Sequence, residues 1–283
     1  MSEPQSDTRE PAPGPPAEPV DFGWWASDAP TGGYLLRRAL EAGKEQLGID
    51  FPLVRHVHLQ VLRYAAAGPV DITVDASRGM AATARATVTF RQEQHDVAVA
   101  SMTLGAARLG PTEQGDTVRP RVRRRTSYPP MKTPSPTLPP VTARFVYRPT
   151  GAGDGSVPHP GWDQVWVTPT DPQLRGRALV ASIVDCWYPP SFMRSMTASL
   201  RDGQPLEQPP PLVLISAGIS FPADDQTYDS VRHALLANQL IGAADGYYFE
   251  HSQIVSDRGE LLATAELVRV RALVPPRPDP SQP

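Results

Sequence analysis

Four strand-like runs of mixed hydrophobic and polar residues follow one another in the first half of the chain: Val54 to Tyr64, Val70 to Ser77, Ala81 to Arg91 and Asp96 to Gly105. Turn signals at Gly68-Pro69, Arg78-Gly79 and Gln94-His95 separate them, so they predict an antiparallel meander. Before them, the apolar residues of Tyr34 to Gly43 recur at helical spacing behind Pro30-Thr31-Gly32-Gly33, which predicts a mostly buried helix opened by glycines. Asp21 to Trp25 reads as a short strand. The second half replays this order. Strand-like Thr142 to Arg148 and Gln164 to Thr168 lead to an apolar helix from Arg177 to Trp187, stopped by Pro189-Pro190, and strands are predicted at 211–221, 228–240, 246–256 and 260–272.

A long antiparallel sheet coils, so its concave face can enclose one helix, and that helix must be apolar almost all round. Tyr34-Leu35-Leu36 and Leu179 to Val184 are continuous enough to qualify. The predicted fold class is α+β: two antiparallel sheets, each wrapped around a buried central helix, with the two units paired edge to edge to hide open strands. The groove between the helices is then the natural ligand site.

Composition bounds the function. A chain of 283 residues that is 40% hydrophobic has material for two moderate cores. With 27 basic and 30 acidic residues, the net charge of -3 supplies no broad positive surface, so nucleic acid and anionic lipid are not expected partners. There is neither an apolar run of the roughly 18 residues a membrane span needs nor a basic, then apolar, N-terminal signal, and the expected location is cytoplasmic. Cys186 is the only cysteine, which excludes an intramolecular disulfide and a multi-cysteine zinc site. The expected organisation is a disordered leader at 1–20, a first unit at 21–105, a proline- and arginine-rich linker at 106–140, a second unit at 141–273 and a disordered tail at 274–283. Self-association into a homo-oligomer remains open.

Several residues carry a resemblance. Pro30-Thr31-Gly32-Gly33-Tyr34-Leu35, Phe90-Arg91-Gln92, Asp185 ahead of Tyr188-Pro189-Pro190, and Asp245-Gly246-Tyr247 through Gly259 to Ala265 together resemble the acyl-CoA thioesterase II family over about 21–105 and 141–272. The resemblance implies a double hotdog fold and hydrolysis of an acyl-CoA or acyl-carrier-protein thioester. It implies that Asp185 is catalytic, acting with a Thr and a Gln from neighbouring strands on the attacking water. Counting along the chain puts Leu214 at the Thr position, with Ser216 the nearest hydroxyl, and Leu267 at the Gln position beside Glu266.

Asp185 is also the strongest candidate on physical grounds, because a carboxylate in an apolar helix is costly unless paired or used. It could equally cap or pair at the helix end. Ser216 is the candidate second catalytic residue. Gly32 and Gly33 would let a thioester carbonyl approach the helix amides, or would serve only close packing. Gln92 matches the resemblance as a binding residue, while Tyr34, Trp187 and Tyr188 would line an acyl groove or the core. His56 and His58 share a strand face but have no evident third ligand, so neither a metal nor any cofactor is called for. The two leucines leave open a hotdog enzyme turned to dehydration, cyclisation or release of a carrier-bound intermediate, and a non-catalytic acyl-thioester binding protein.

Overall fold

The computed structural model describes residues 18–26, 29–48, 53–79, 82–106, 124–131, 139–150, 162–186 and 212–271. Most of the leader and linker, Trp187, Tyr188 and the tail lie outside the described residues. The first half contains β1 (Glu18–Pro19), α1 (Gly32–Leu47), β2 (Leu53–Val61), β3 (Pro69–Arg78), β4 (Thr83–Gln92) and β5 (His95–Gly105). The second contains β6 (Phe145–Pro149), β7 (Trp162–Pro169), α2 (Gly176–Ile183), β8 (Leu212–Ser220), α3 (Asp225–Ser230), β9 (Ala234–Ala244), β10 (Tyr247–Val255) and β11 (Leu261–Arg271). No helix among the described residues is long and apolar enough to cross a membrane.

The strand order is β1-β3-β4-β5-β2-β8-β11-β10-β9-β7-β6. Exchanging β2 with β8, β3 with β9, β4 with β10 and β5 with β11 maps the central eight strands onto themselves about the β2–β8 seam. The internal repeat is therefore expressed as a pseudo-two-fold topology. The expectation of two sheets is corrected to one continuous sheet of eleven strands. Across the seam His58 pairs with Gly218 and Leu59 with Ala217, antiparallel. Each half would otherwise leave a long edge of unpaired amides and carbonyls, and the two edges satisfy each other.

Alternation sets the inner face. Val54, Val57, Leu59, Val74, Val88, Ala100 and Leu104 are buried, and their strand neighbours are largely exposed. α1 lies against β2, β3, β4 and β5, and it begins where the Thr31 hydroxyl accepts the Tyr34 N–H at 3.2 Å. Leu179, Val180, Ala181 and Ile183 of α2 are fully buried, and α2 packs directly on α1.

Local chemistry overrode pattern in two places. The expected strand at 21–25 is a 3-10 turn over Phe22–Trp24, in which the Gly23 N–H donates to Asp21 Oδ1 at 2.8 Å. The expected strand at 228–240 begins only at Ala234, because Asp224 accepts the Thr227 N–H at 2.8 Å and caps α3 ahead of it. Within the proline- and arginine-rich stretch, the described residues 124–131 are anchored at two points, while Arg124, Thr126, Ser127, Pro129 and Pro130 are exposed. Tyr128 is buried with Trp166, Leu235 and Val255, and the Met131 N–H donates to the Tyr147 carbonyl at 2.7 Å.

Candidate active site

α1 and α2 run antiparallel, so the N-terminus of α1 meets the C-terminal end of α2. Asp185 lies two residues beyond α2, buried, and its Oδ2 accepts the Gly32 N–H at 2.6 Å. A carboxylate is stabilised there by the unsatisfied amides and the positive end of the helix dipole. Its other oxygen, Oδ1, accepts from Nη1 of Arg269 on β11. Arg269 Nε in turn donates to both carboxylate oxygens of Glu250 on β10, at 3.2 Å each. The side chains of Asp185 and Arg269 are each 6% exposed and that of Glu250 is not exposed at all, so this is a buried triad of two carboxylates and one guanidinium.

One cation for two carboxylates has an electrostatic consequence. Burial pushes the Glu250 carboxyl above its usual range; Arg269 opposes the shift, and the Asp185 charge adds to it. Burial alone would depress the Arg269 pKa, but the carboxylates on either side hold it above the ordinary guanidinium value. Beyond Glu250 the inner face stays polar. Ser252 faces Asn238 across the β10–β9 ladder, both are buried, and the Ser252 hydroxyl and the whole Asn238 amide have no partner among the described residues.

The two glycines at the head of α1 are sterically required. A Cβ on Gly32 would stand 3.1 Å from Asp185 Oδ2 and would overlap the Leu214 Cδ2 methyl. A Cβ on Gly33 would lie 2.9 Å from the Ser182 carbonyl carbon and closer still to its oxygen, on the facing helix. Backbone cannot swing aside as a side chain can. Gly33→Ala is expected to destabilise the fold by about 1–3 kcal/mol through forced separation of the helices, which urea denaturation of the full chain measures; a loss below about 0.5 kcal/mol would mean that the helices are not in contact there.

This end of the helix pair can now be compared with known proteins. Residues 22–105 match the sequence profile described as the acyl-CoA thioesterase N-terminal domain. These residues, which hold α1 and β2 to β5, are acyl-CoA thioesterase-like. Similar solved structures include a conserved hot dog fold protein from Alicyclobacillus acidocaldarius, with 20% identity, 90% of this chain and 92% of that one covered, and a TM-score of 0.74. An acyl-CoA thioesterase II from Mycobacterium marinum has 18% identity, 85% and 88% coverage and a TM-score of 0.65. At these identities the structural likeness establishes the hotdog fold. No curated protein sequence matches significantly.

Set on the thioesterase-like frame, the expected site residues divide. Asp185, Gly32 and Gly33 come together. Leu214 packs against Gly32 beside Asp185, where the resemblance places a Thr. Leu267 is buried and pairs with Glu250 on the inner face, and it offers no polar atom. Ser216 is not at the site. The β8–β11 register shifts so that Val268 pairs with Ser216 and Arg269 with Leu214. Ile215 is thus an extra residue on β8 that puts Ser216 on the outer face, away from Leu214. There Ser216 Oγ is hydrogen-bonded to His58 Nε2 at 2.9 Å, and Ser220 Oγ to His56 Nδ1 at 3.1 Å.

Gln92 is committed elsewhere: its Oε1 accepts the Ala66 N–H at 2.7 Å and its Nε2 donates to the Ala66 carbonyl at 3.0 Å, so it ties down the β2–β3 connection. Tyr34 is a buried core residue whose ring centroid lies 5.8 Å from that of Trp24. Cys186 is buried, and burial pushes its thiol far up, which leaves it protonated and unreactive. Among the described residues no three His, Cys, Asp or Glu side chains are grouped to hold a metal. Arg269 is the site residue that motif counting missed. Its signal was present: it follows Ala263, Ala265 and Leu267 on the inward parity of β11, where an arginine needs buried carboxylates.

The raised Glu250 pKa makes a prediction. Between the ordinary carboxyl pKa and the raised one, the folded chain holds a proton that the unfolded chain has released. This contribution to stability is complete below about pH 4 and is lost as pH rises through the folded pKa. Glu250→Gln removes the titration, so its unfolding free energy, measured by urea denaturation across the pH range, is expected to fall less steeply than the wild type's upward from about pH 4, by at most about 1.4 kcal/mol per pH unit. Parallel curves for the two proteins would place that proton on another group.

Proposed function

We propose that the chain hydrolyses an acyl or aryl thioester bound in the groove between the hotdog helices, with Asp185 as the general base. The observation that carries this reading is the Asp185 carboxylate seated against the first amide of α1, at the junction of the two repeats. A water held by Asp185 attacks the thioester carbonyl as the carboxylate takes its proton. The tetrahedral oxyanion collapses, the C–S bond breaks, and the thiolate leaves with the proton that Asp185 returns. Gly32 N–H is already committed to Asp185; the Gly33 N–H, without a partner among the described residues, is the amide that remains to stabilise the oxyanion. Arg269 fixes the rotamer of Asp185 and does not itself need to touch the substrate. The carrier is CoA or an acyl carrier protein.

A second reading rests on Leu214 and Leu267. Without a Thr and a Gln to orient water, the same groove binds a carrier-linked acyl thioester without hydrolysing it, either as a binding protein or for dehydration, cyclisation or release in a biosynthetic sequence. A turnover screen over short, medium, long, aromatic and hydroxylated acyl-CoAs, with calorimetry on the same panel, decides between them. Turnover supports the hydrolase; binding without turnover supports the second reading; neither would remove thioester chemistry from this protein.

A further inference from the structure

The opposite end of the helix pair holds a second cleft. It has a volume of about 620 Å³ and lies where the N-terminus of α2 meets the C-terminal half of α1 and α3. That size falls within the range of small-molecule sites. The repeat relates it to the Asp185 end. Aligned at their opening glycines, Gly32 and Gly176, the helices place Leu35 on Leu179, Leu36 on Val180 and Glu41 on Asp185. Glu41, the counterpart of the candidate base, lines the second cleft.

The two ends have diverged in charge. At the first, a buried carboxylate satisfies the α1 amide. At the second, no side chain caps α2, and Glu41 leans towards Arg37 and Arg38 of its own helix, at 3.8 and 3.9 Å. The buried charge here is a cation, Arg177 in the first turn of α2. Its side chain is 9% exposed, lies over the Tyr228 ring with its guanidinium carbon 4.1 Å from the centroid, and spends only Nη1 on Asp225. Its Nε and Nη2 have no partner among the described residues. Lys44, Arg175 and Arg232 also line the cleft. Asp229 is the remaining carboxylate in the lining, and it is exposed.

We infer that this cleft is a second ligand site, independent of Asp185, that binds a small organic oxyanion, phosphate or carboxylate, between the uncapped first turn of α2 and the Arg175, Arg177 and Lys44 side chains. The Gly176 N–H already donates to the Val231 carbonyl at 3.1 Å; an oxyanion supplies what the rest of the site lacks: acceptors for the next α2 amides and for the two unused Arg177 nitrogens, and a countercharge for cations in excess of the one paired with Asp225. The remaining wall, Leu40, Val54, Tyr228 and Ala178, accepts an apolar body. Gly176 and Ile183, the ends of α2, are seven residues apart, about 10.5 Å along the helix, and Asp185 lies beyond the far end, so one small anion does not occupy both ends.

The test is calorimetric titration of the full chain with inorganic phosphate, 4′-phosphopantetheine and hexanoate. At least one is expected to bind, the two phosphates together or hexanoate alone identifying the source of the anion. Arg175→Ala and Lys44→Ala, exposed and safe for the fold, are each expected to weaken binding about tenfold, and Arg177→Met to abolish it. Asp185→Asn is expected to bind as the wild type does, whatever its turnover, so this inference and the proposed hydrolysis fail separately. It is overturned if none of the three probes binds, if both exposed variants bind as tightly as the wild type, or if binding disappears in Asp185→Asn.

Discussion

Asp185→Asn is expected to lower kcat for acyl-CoA hydrolysis by about 10²–10⁴-fold, the range for losing a positioned general base, with little change in KM. The substitution preserves volume and removes the proton acceptor. It also reverses one hydrogen bond. Gly32 N–H and Arg269 Nη1 both donate to the native carboxylate, and an amide can meet only one of them with its oxygen, turning its NH₂ against the other donor. A stability loss of about 1–2 kcal/mol is therefore expected as well. Glu250→Gln separates the two effects, because it perturbs the same triad without touching the carboxylate at the helix junction. Its kcat is expected to stay within about tenfold of wild type. Equal turnover by wild type and Asp185→Asn would remove Asp185 from the chemistry; equal loss in both variants would make the triad a structural unit rather than a base and its support.

Much of this arrangement is legible in the residues, and the exceptions have causes. The long strands are readable because one face of each is buried and the other wet, and the buried helices because sheet wraps them on nearly every side. Asp185 stands out as a carboxylate in an apolar helix, and Gly32-Gly33 as the glycines that open the first one. Ser216 misleads, because period-two counting from Leu214 assumes an uninterrupted ladder, and the extra residue Ile215 reverses the face without changing the local composition. Arg269 escapes a motif search because its partners, Asp185 and Glu250, are 84 and 19 residues away in sequence and only the closed sheet joins them. Joining β2 to β8 decides one sheet over two, and neither strand differs visibly from an edge strand until its partner is known. The α3 cap at Asp224 wins over the β-like run after it because a capped turn is satisfied locally, before any ladder can form.

Arg269→Met carries the largest expected stability effect, a loss of about 3–5 kcal/mol. Methionine fills a similar volume but leaves Asp185 and Glu250 facing each other, out of water, with no counter-charge. Urea denaturation of the full chain should show a lower midpoint at an unchanged slope. A burial effect alone would be small, so the pattern across combined variants identifies the cause. Adding Glu250→Gln to Arg269→Met removes one orphaned charge and is expected to recover part of the loss; adding Asp185→Asn as well leaves no buried charge and should recover most of it, in a protein that does not turn over thioesters. Buried ion clusters replaced whole are often neutral in stability, whereas those broken at one member are not. A single Arg269→Met that costs under about 1 kcal/mol, or a triple variant no more stable than the single, would mean that Asp185 is not held by a desolvated guanidinium, and the placement of the base at the helix junction would need another support.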